Sequence, residues 1–271
     1  MLWFSKRRRR ASLIQAPLDA EERAVLERHV RYYRYLPADQ RAALEGLIRV
    51  FLAEKRFEGC GGLELTDAMR LVIAAHACIL LLGRGGDVYP LLQSVLVYPS
   101  AFLVEEPELH PDGTLDAGPH ERIGESWERG SLVLAWDEVA RGGAADGVNV
   151  AFHEFAHQLD DEEGVADGAP ALGTADARAA WARVLSTAYE EHVGDVERGA
   201  ATLLDEYGAE SPAEFFAVAT ECFFERGGEM KTRHPEVYAE LQAFYRQDPA
   251  ALLPPPPVVR RRVRRHPRRR R

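Results

Sequence analysis

Cysteine is scarce in this 271-residue sequence, which contains only Cys60, Cys78 and Cys222. Their odd number and their spacings match no disulfide framework, zinc ribbon or CxxC redox pair. Long apolar runs are also lacking, because the longest, Leu71 to Leu82, is interrupted by His76 and is shorter than the roughly 20 residues that span a bilayer. Only four residues separate the N-terminal cations from Gln15, too few for a signal peptide. We therefore expect a soluble protein in a reducing, cytoplasmic compartment.

Acidic residues are absent from both ends of the chain, which carry five cations between Lys6 and Arg10 and nine between Arg260 and Arg271. Removing these 14 cations from the total of 34 leaves 20 Lys and Arg against 43 Asp and Glu, so the body of the chain carries a net charge of about −23. Such a body repels a phosphate backbone, so the sequence offers no sign of a folded nucleic-acid-binding face. The basic tails, predicted to be disordered at 1–16 and 254–271, remain able to contact nucleic acid or anionic lipid.

Hydrophobic periodicity predicts one α+β domain over 17–253, mainly helical, with a small mixed sheet. A helical lobe occupies 17–85, and the sheet and further helices occupy 86–253. The predicted helices are Leu18–Tyr33, Ala38–Glu54, Asp67–Leu82, Asp146–Asp161, Asp176–His192, Pro212–Arg226 and Pro235–Arg246. The predicted strands are Ser94–Val97, Ala101–Val104 and Ser131–Trp136. The glycine-rich segment 59–62 indicates a turn, since it lacks the context of a phosphate-binding loop.

One helical segment contains the sequence His153-Glu154-Phe155-Ala156-His157, an HExxH motif. Residues four apart lie on one face of a helix, so both imidazoles can reach one tetrahedral zinc ion. Glu154 is then placed to act as a general base toward water at that ion. The alternative is a pair of surface histidines, but the apolar flanks of the motif favour a buried helix. His76 lies within an apolar helix and is interpreted as a core histidine.

A catalytic zinc site normally needs a third protein ligand. The third histidine of the extended metzincin motif is absent, because Glu163 stands at its position. A later carboxylate is the alternative, and Glu214 lies three residues after Ser211 at the start of a predicted helix. Glu210 and Glu221 are rival ligands. The spacing of Ser211 and Glu214 also fits a capping box, so the residues alone leave these alternatives open.

These segments resemble the Mlc titration factor A family of bacterial zinc peptidases. The resemblance rests on His153-Glu-Phe-Ala-His157-Gln-Leu-Asp160 and on Tyr207, seven residues before the Glu214-Phe-Phe-Ala217 segment. The same spacing from Tyr to Glu is similar to that of the anthrax lethal factor catalytic domain, a distant relative. Further segments that resemble the family include 59–66, Tyr98-Pro-Ser, 124–127 and 244–249.

The resemblance implies a zincin-like, gluzincin type of metallopeptidase fold around the HExxH helix. It implies zinc on His153, His157 and Glu214, with Glu154 as general base and Tyr207 as donor to the oxyanion. In distant relatives an acidic residue one turn after the third ligand supports a zinc-bound histidine, but Val218 occupies that position here. Asp160, Asp161 and Glu221 remain alternatives for that supporting role.

For function, the resemblance implies hydrolysis of peptide bonds in a peptide or protein substrate, with aminopeptidase action. An alternative function is also implied, in which the chain sequesters a glucose-responsive transcriptional repressor and peptidase activity is secondary. The strand around Ser131 to Leu134 is either a sheet edge that pairs with an extended substrate or a core strand.

Overall fold

The structure is a computed structural model that describes residues 2–100, 103–109, 115–121 and 130–255. The helices are α1 (Leu2–Ile14), α2 (Ala20–His29), α3 (Arg31–Tyr35), α4 (Ala38–Glu54), α5 (Asp67–Leu81), α6 (Trp136–Arg141), α7 (Val150–Asp160), α8 (Ala175–Glu197), α9 (Pro212–Arg233), α10 (Pro235–Tyr245) and α11 (Pro249–Leu252). The strands are β1 (Arg56–Gly59), β2 (Ser94–Tyr98), β3 (Leu103–Leu109), β4 (Leu115–Glu121) and β5 (Ser131–Ala135). This mainly helical α+β architecture confirms the predicted fold class.

The larger sheet has the order β1-β2-β5, and both of its pairings are parallel. Antiparallel pairing occurs between β3 and β4, which form a separate hairpin. The prediction of a mixed sheet was therefore wrong in this detail. Strand β1 was missed because it is short, alternates charged with other residues and ends at Gly59 in the glycine-rich turn. The predicted strand at 101–104 corresponds to β3, and residues 101 and 102 lie outside the described residues.

The N-terminal prediction needs a larger correction, because the structure places 2–14 in a helix rather than in a disordered tail. The Nε and an Nη atom of Arg10 donate to the two carboxylate oxygens of Glu54, both at 2.6 Å, and Arg10 also pairs with Asp87. Leu13 packs against the core. The cationic run is therefore ordered by carboxylates of the acidic body. Residues 256–271 of the predicted C-terminal tail lie outside the described part of the chain.

Side chains at the helix ends explain where several helices begin. The Thr66 hydroxyl accepts from the Met69 amide at the start of α5, and Ser211 caps α9 with Pro212 in its first turn. Helix α7 begins later than predicted. Asn149 caps it, and the preceding residues Ala145 and Gly147 have positive φ, which a helix does not accommodate.

The core surrounds α5 and α7. Every residue of α5 from Leu71 to Leu81 is buried, including His76, whose Nδ1 lies 2.9 Å from the Val72 carbonyl oxygen. His76 is therefore a satisfied core histidine, as predicted, and burial lowers its pKa to about 4. In the described residues, no helix is both long enough and apolar enough to cross a membrane.

Two phenylalanines of α7 anchor that helix in the core. The Phe155 ring lies 5.7 Å from Phe51 and 5.1 Å from Tyr89, and the Phe152 ring lies 5.2 Å from His76 and 5.0 Å from Phe224. Aromatic pairs at these separations add to the stabilisation from burial alone. Phe152 and Phe155 lie on either side of His153 in the sequence. Their packing in the core therefore fixes the rotation of α7 about its axis and so the direction in which its histidines point.

Candidate metal centre

Helix α7 presents both histidines of the motif on one face. The ring centroids of His153 and His157 are 4.8 Å apart, and their Nε2 atoms are 3.2 Å apart. His153 is buried, while the side chain of His157 retains 23% of its exposure. The predicted i, i+4 pair therefore converges on one point that remains open on the His157 side.

Helix α9 brings Glu214 to the same point. Its Oε2 lies 3.0 Å from the Nε2 of His153 and 3.4 Å from the Nε2 of His157. The Ser211 hydroxyl does accept from the Glu214 amide, so the cap exists, but the Glu214 carboxylate points to the imidazoles instead of closing a capping box. Of the rivals, Glu210 is exposed, and Glu221 contacts the other nitrogen of His153.

Glu221 occupies the position expected of a residue that orients a ligand. It is 1% exposed, and its Oε1 lies 2.8 Å from the His153 Nδ1. Its Oε2 accepts from the Asn149 amide at 2.6 Å. A carboxylate only accepts hydrogen bonds, so His153 carries its proton on Nδ1 and presents a lone pair at Nε2. Of the three alternatives for this role, the structure places Glu221 in contact with the imidazole.

Asp160 instead contacts the loop that follows α7. Its Oδ2 accepts from the Gly168 amide at 2.8 Å. Burial raises the pKa of Asp160 to about 6, and that hydrogen bond partly offsets the effect. Asp161 is exposed in the 3₁₀ turn that follows α7. Neither carboxylate has a described hydrogen bond to a motif histidine.

The donor set fits a zinc ion. His153 Nε2, His157 Nε2 and Glu214 Oε2 form a triangle with sides of 3.0, 3.2 and 3.4 Å. Tetrahedral bonds of about 2.0–2.1 Å separate neighbouring ligand atoms by about 3.3–3.4 Å. Glu214 Oε2 is buried and accepts no hydrogen bond from any described group, although it lies near both imidazoles. His153 Nε2 and Glu214 Oε2 are therefore two electron-pair donors that lie close together. A cation between them stabilises this arrangement.

The charge state of Glu214 depends on the same two neighbouring imidazoles. Burial by itself raises the pKa of Glu214, but the imidazoles of His153 and His157, when protonated, outweigh burial and hold that pKa well below its ordinary value. Glu214 is therefore an anion at neutral pH. His, His and a carboxylate are also the three groups within the described residues whose ligand atoms cluster tightly enough to hold a metal ion.

The structure also describes the two residues predicted to be catalytic. Glu154 follows His153 on α7 and is 8% exposed. The Tyr207 hydroxyl donates to Glu214 Oε1 at 3.3 Å, and its ring centroid lies 5.9 Å from that of His153. Burial, followed by the Glu214 carboxylate, raises the pKa of Tyr207, so this hydroxyl keeps its proton. Their catalytic roles stay predictions.

Comparison with known proteins gives the family. A model described as "Glucose-regulated metallo-peptidase M90" matches residues 3–246. The chain belongs to this metallopeptidase family. An uncharacterized protein of Synechocystis sp. is 42% identical over 245 residues, covering 89% of each chain. The Mlc titration factor A of Pectobacterium atrosepticum is 36% identical over 220 residues, covering 80% of this chain and 82% of the relative. That of Serratia proteamaculans is 35% identical over 203 residues, covering 74% and 77%.

Sequence reasoning did not identify the buried acid of this M90 chain that supports the loop before α7. Glu225, one turn after Glu221 on α9, is 4% exposed. It accepts hydrogen bonds from the amides of Gly143 and Ala145, both at 3.0 Å, and from the Asn149 side chain at 2.9 Å. It therefore fixes the loop before α7. The available signal was an acidic residue inside the apolar run that follows Glu221.

Strand β5 lies at the end of the order β1-β2-β5 and pairs with β2 in the described residues. Its burial is nearly complete, since four of its five residues are buried. Both faces of the strand are therefore buried in the core, and β5 is an edge strand of the described sheet. Pairing of this edge with an extended substrate stays a prediction for this member of the family.

Proposed function

We propose that this chain is a zinc-dependent peptidase in which His153, His157 and Glu214 hold one zinc ion. The observation that carries the proposal is the triangle of 3.0, 3.2 and 3.4 Å formed by their ligand atoms. Zinc in such a site supplies Lewis acidity, which activates water and polarises a peptide carbonyl at neutral pH. Membership of a metallopeptidase family supports the same chemistry.

In this proposal Glu154 is the general base. It takes the proton of the attacking water and delivers it to the leaving amine. Tyr207 donates its hydroxyl hydrogen to the developing oxyanion, and its raised pKa keeps that hydrogen available. A single donor of this kind contributes roughly 3 kcal/mol to stabilisation of the transition state. We propose small peptides or protein N-termini as substrates, in keeping with the aminopeptidase action that the family resemblance implies.

The test compares wild type with Glu154→Gln and with Glu190→Gln, a matched change on the exposed face of α8. All three proteins are loaded with zinc and assayed on a panel of peptides with free and blocked N-termini. We expect Glu154→Gln to bind zinc but to lose at least about 100-fold in kcat, because a positioned base contributes about 10²–10⁴-fold. Equal turnover by wild type and Glu154→Gln would remove Glu154 from the mechanism. Equal cleavage of blocked and free N-termini would remove the aminopeptidase assignment.

A second function is favoured by the names of the relatives. Two of them are called Mlc titration factor A, a name that describes titration of Mlc. We propose as the alternative that this chain sequesters a glucose-responsive transcriptional repressor and that peptidase activity is secondary. Cytoplasmic localisation suits either function, and the absence of a disulfide at Cys60, Cys78 and Cys222 in the described residues fits a reducing compartment.

A pull-down from the native cell extract distinguishes the two functions. Glu154→Gln and wild type serve as matched baits, and bound proteins are quantified by mass spectrometry. Stoichiometric capture of one DNA-binding repressor by both baits supports sequestration. Absence of a repressor from both baits, combined with peptide turnover by wild type, supports the peptidase alone.

A further inference from the structure

The loop between α7 and α8 returns to the start of α9 at Gly168. The Gly168 amide donates to Asp160 Oδ2 at 2.8 Å, and its carbonyl accepts from the Trp181 indole at 2.9 Å. Asp160 is fully buried at the end of α7, one turn after His157. Gly168 is thus bound on one side to the helix of the HExxH motif and on the other side to α8.

The same glycine lies directly against the first turn of α9. A Cβ atom added at Gly168 would lie 2.4 Å from the Pro212 carbonyl oxygen and 2.7 Å from the Pro212 carbonyl carbon. It would also lie 3.2 Å from the amide nitrogen of Ala213. All three are backbone atoms, which cannot move aside as the end of a flexible side chain can. Pro212 precedes Glu214 by two residues, so the contact is made next to the proposed carboxylate ligand.

We propose that Asp160 and Gly168 are positioning residues, which set the distance between Glu214 and the imidazole pair. Asp160 fixes Gly168 relative to α7, and the bare Gly168 backbone sets how closely the start of α9 approaches. The proposal rests on the proposed zinc site. It assigns to the loop after the HExxH helix a role in metal affinity, in addition to its role as a connection.

The expected effect follows from the distances. A real Cβ atom almost never lies within 3.0 Å of such a neighbour, so a methyl group at Gly168 displaces Pro212 by about 0.6 Å or more. Functional zinc sites hold ligand distances to about ±0.2 Å. A shift of this size at the start of α9 therefore misplaces Glu214. Changes in residues that orient ligands typically weaken metal affinity about 10–100-fold.

The chain offers a matched control for Gly168→Ala. Gly164 in the same loop has φ of +86°, against +84° for Gly168, but a Cβ atom there would have no neighbour within 4 Å. Gly164→Ala therefore introduces the same unfavourable backbone conformation without the collision. Any difference between the two variants reports the contact with Pro212.

The experiment measures zinc affinity of the full chain by competition with a chromophoric chelator. Circular dichroism is recorded on each sample to report the folded fraction. We expect Gly168→Ala to bind zinc about 10–100-fold more weakly than wild type and Gly164→Ala to bind within about threefold of wild type. Wild-type affinity in folded Gly168→Ala would overturn the positioning role. Failure of wild type itself to bind zinc would instead overturn the proposed function, so the two failures are distinguishable.

A second pair of variants keeps the test decisive if Gly168→Ala does not fold. Asp160→Asn retains an acceptor oxygen for the Gly168 amide, whereas Asp160→Ala removes it, and both remove the charge. The Oδ1 atom of Asp160 has no described hydrogen-bond partner, so an amide nitrogen there breaks no described bond. We expect Asp160→Ala to lose at least tenfold in zinc affinity and Asp160→Asn to stay within about threefold. Equal affinities of the two variants would contradict the proposal.

Discussion

Replacing Glu221 by Gln tests how the protein prepares His153 for a metal ion. The two Glu221 oxygens face two donors, the His153 Nδ1–H at 2.8 Å and the Asn149 amide at 2.6 Å. A glutamine side chain has a single acceptor oxygen, so its NH₂ group must face one of the donors. The substitution changes no ligand atom and almost no volume.

The size of the effect can be worked out from this geometry. A hydrogen bond to a charged group contributes about 1.5–3 kcal/mol, and an unmatched buried donor adds to the cost of losing it. At 1% exposure, water cannot replace the lost acceptor. If His153 turns to recover a partner, its Nε2 leaves the centre. We expect Glu221→Gln to weaken zinc binding about 10–100-fold, which corresponds to about 1.4–2.7 kcal/mol.

The assay is chelator competition at constant pH, with Glu210→Gln as the control. Glu210 is exposed and was a rival for the third ligand, so its substitution makes the same chemical change outside the centre. We expect the control to bind zinc like wild type. Wild-type affinity in folded Glu221→Gln would refute the reasoning about His153. Loss of affinity in Glu210→Gln would show that the wrong carboxylate has been assigned to the centre.

Other predictions concern stability and the tails. Zinc at 100 times its Kd should raise the free energy of unfolding by about 2.7 kcal/mol, with no such increase in His157→Ala, as measured by urea titration. Burial lowers the pKa of Lys55 from 10.5 to about 8, so between pH 8 and pH 10.5 the unfolded chain binds more protons than the folded chain. The free energy of unfolding of wild type should therefore rise with pH relative to that of Lys55→Met. A difference that does not change with pH contradicts this. Arg10→Gln should lower the free energy of local opening of α1 by about 1 kcal/mol and so speed amide hydrogen exchange in 2–14 roughly fivefold. Arg8→Gln, at an exposed position, is the control, and equal exchange rates in the two variants would contradict the prediction. Deleting 258–271 should weaken salt-dependent binding to DNA and to anionic vesicles, and unchanged binding would remove the tail as a contact.

The parts of the fold that local physics determines were predictable from the sequence. Helix Ala38–Glu54 has the same bounds in the prediction and in the structure, because its apolar spacing and its ends are local signals. The convergence of His153 and His157 is also local, since helical geometry alone places residues four apart on one face. The predicted start of α7 was too early, because the spacing of apolar residues does not reveal the positive φ of Ala145 and Gly147.

Features that depend on distant partners were not predictable in this way. Arg10 is ordered by Glu54, which is 44 residues away, and a run of cations gives no sign of that partner. Sequence spacing also left Glu210, Glu214 and Glu221 as alternatives, because only tertiary packing decides which carboxylate faces the imidazoles. The contact of Gly168 with a backbone carbonyl has no sequence signature beyond the glycine itself.

The most direct test of the metal centre is an anomalous difference map, collected at the zinc absorption edge from crystals of zinc-loaded protein. The account predicts one peak per chain, about 2.0–2.2 Å from His153 Nε2, His157 Nε2 and Glu214 Oε2. A peak at other residues, or a centre without zinc in crystals grown at saturating zinc, would contradict it.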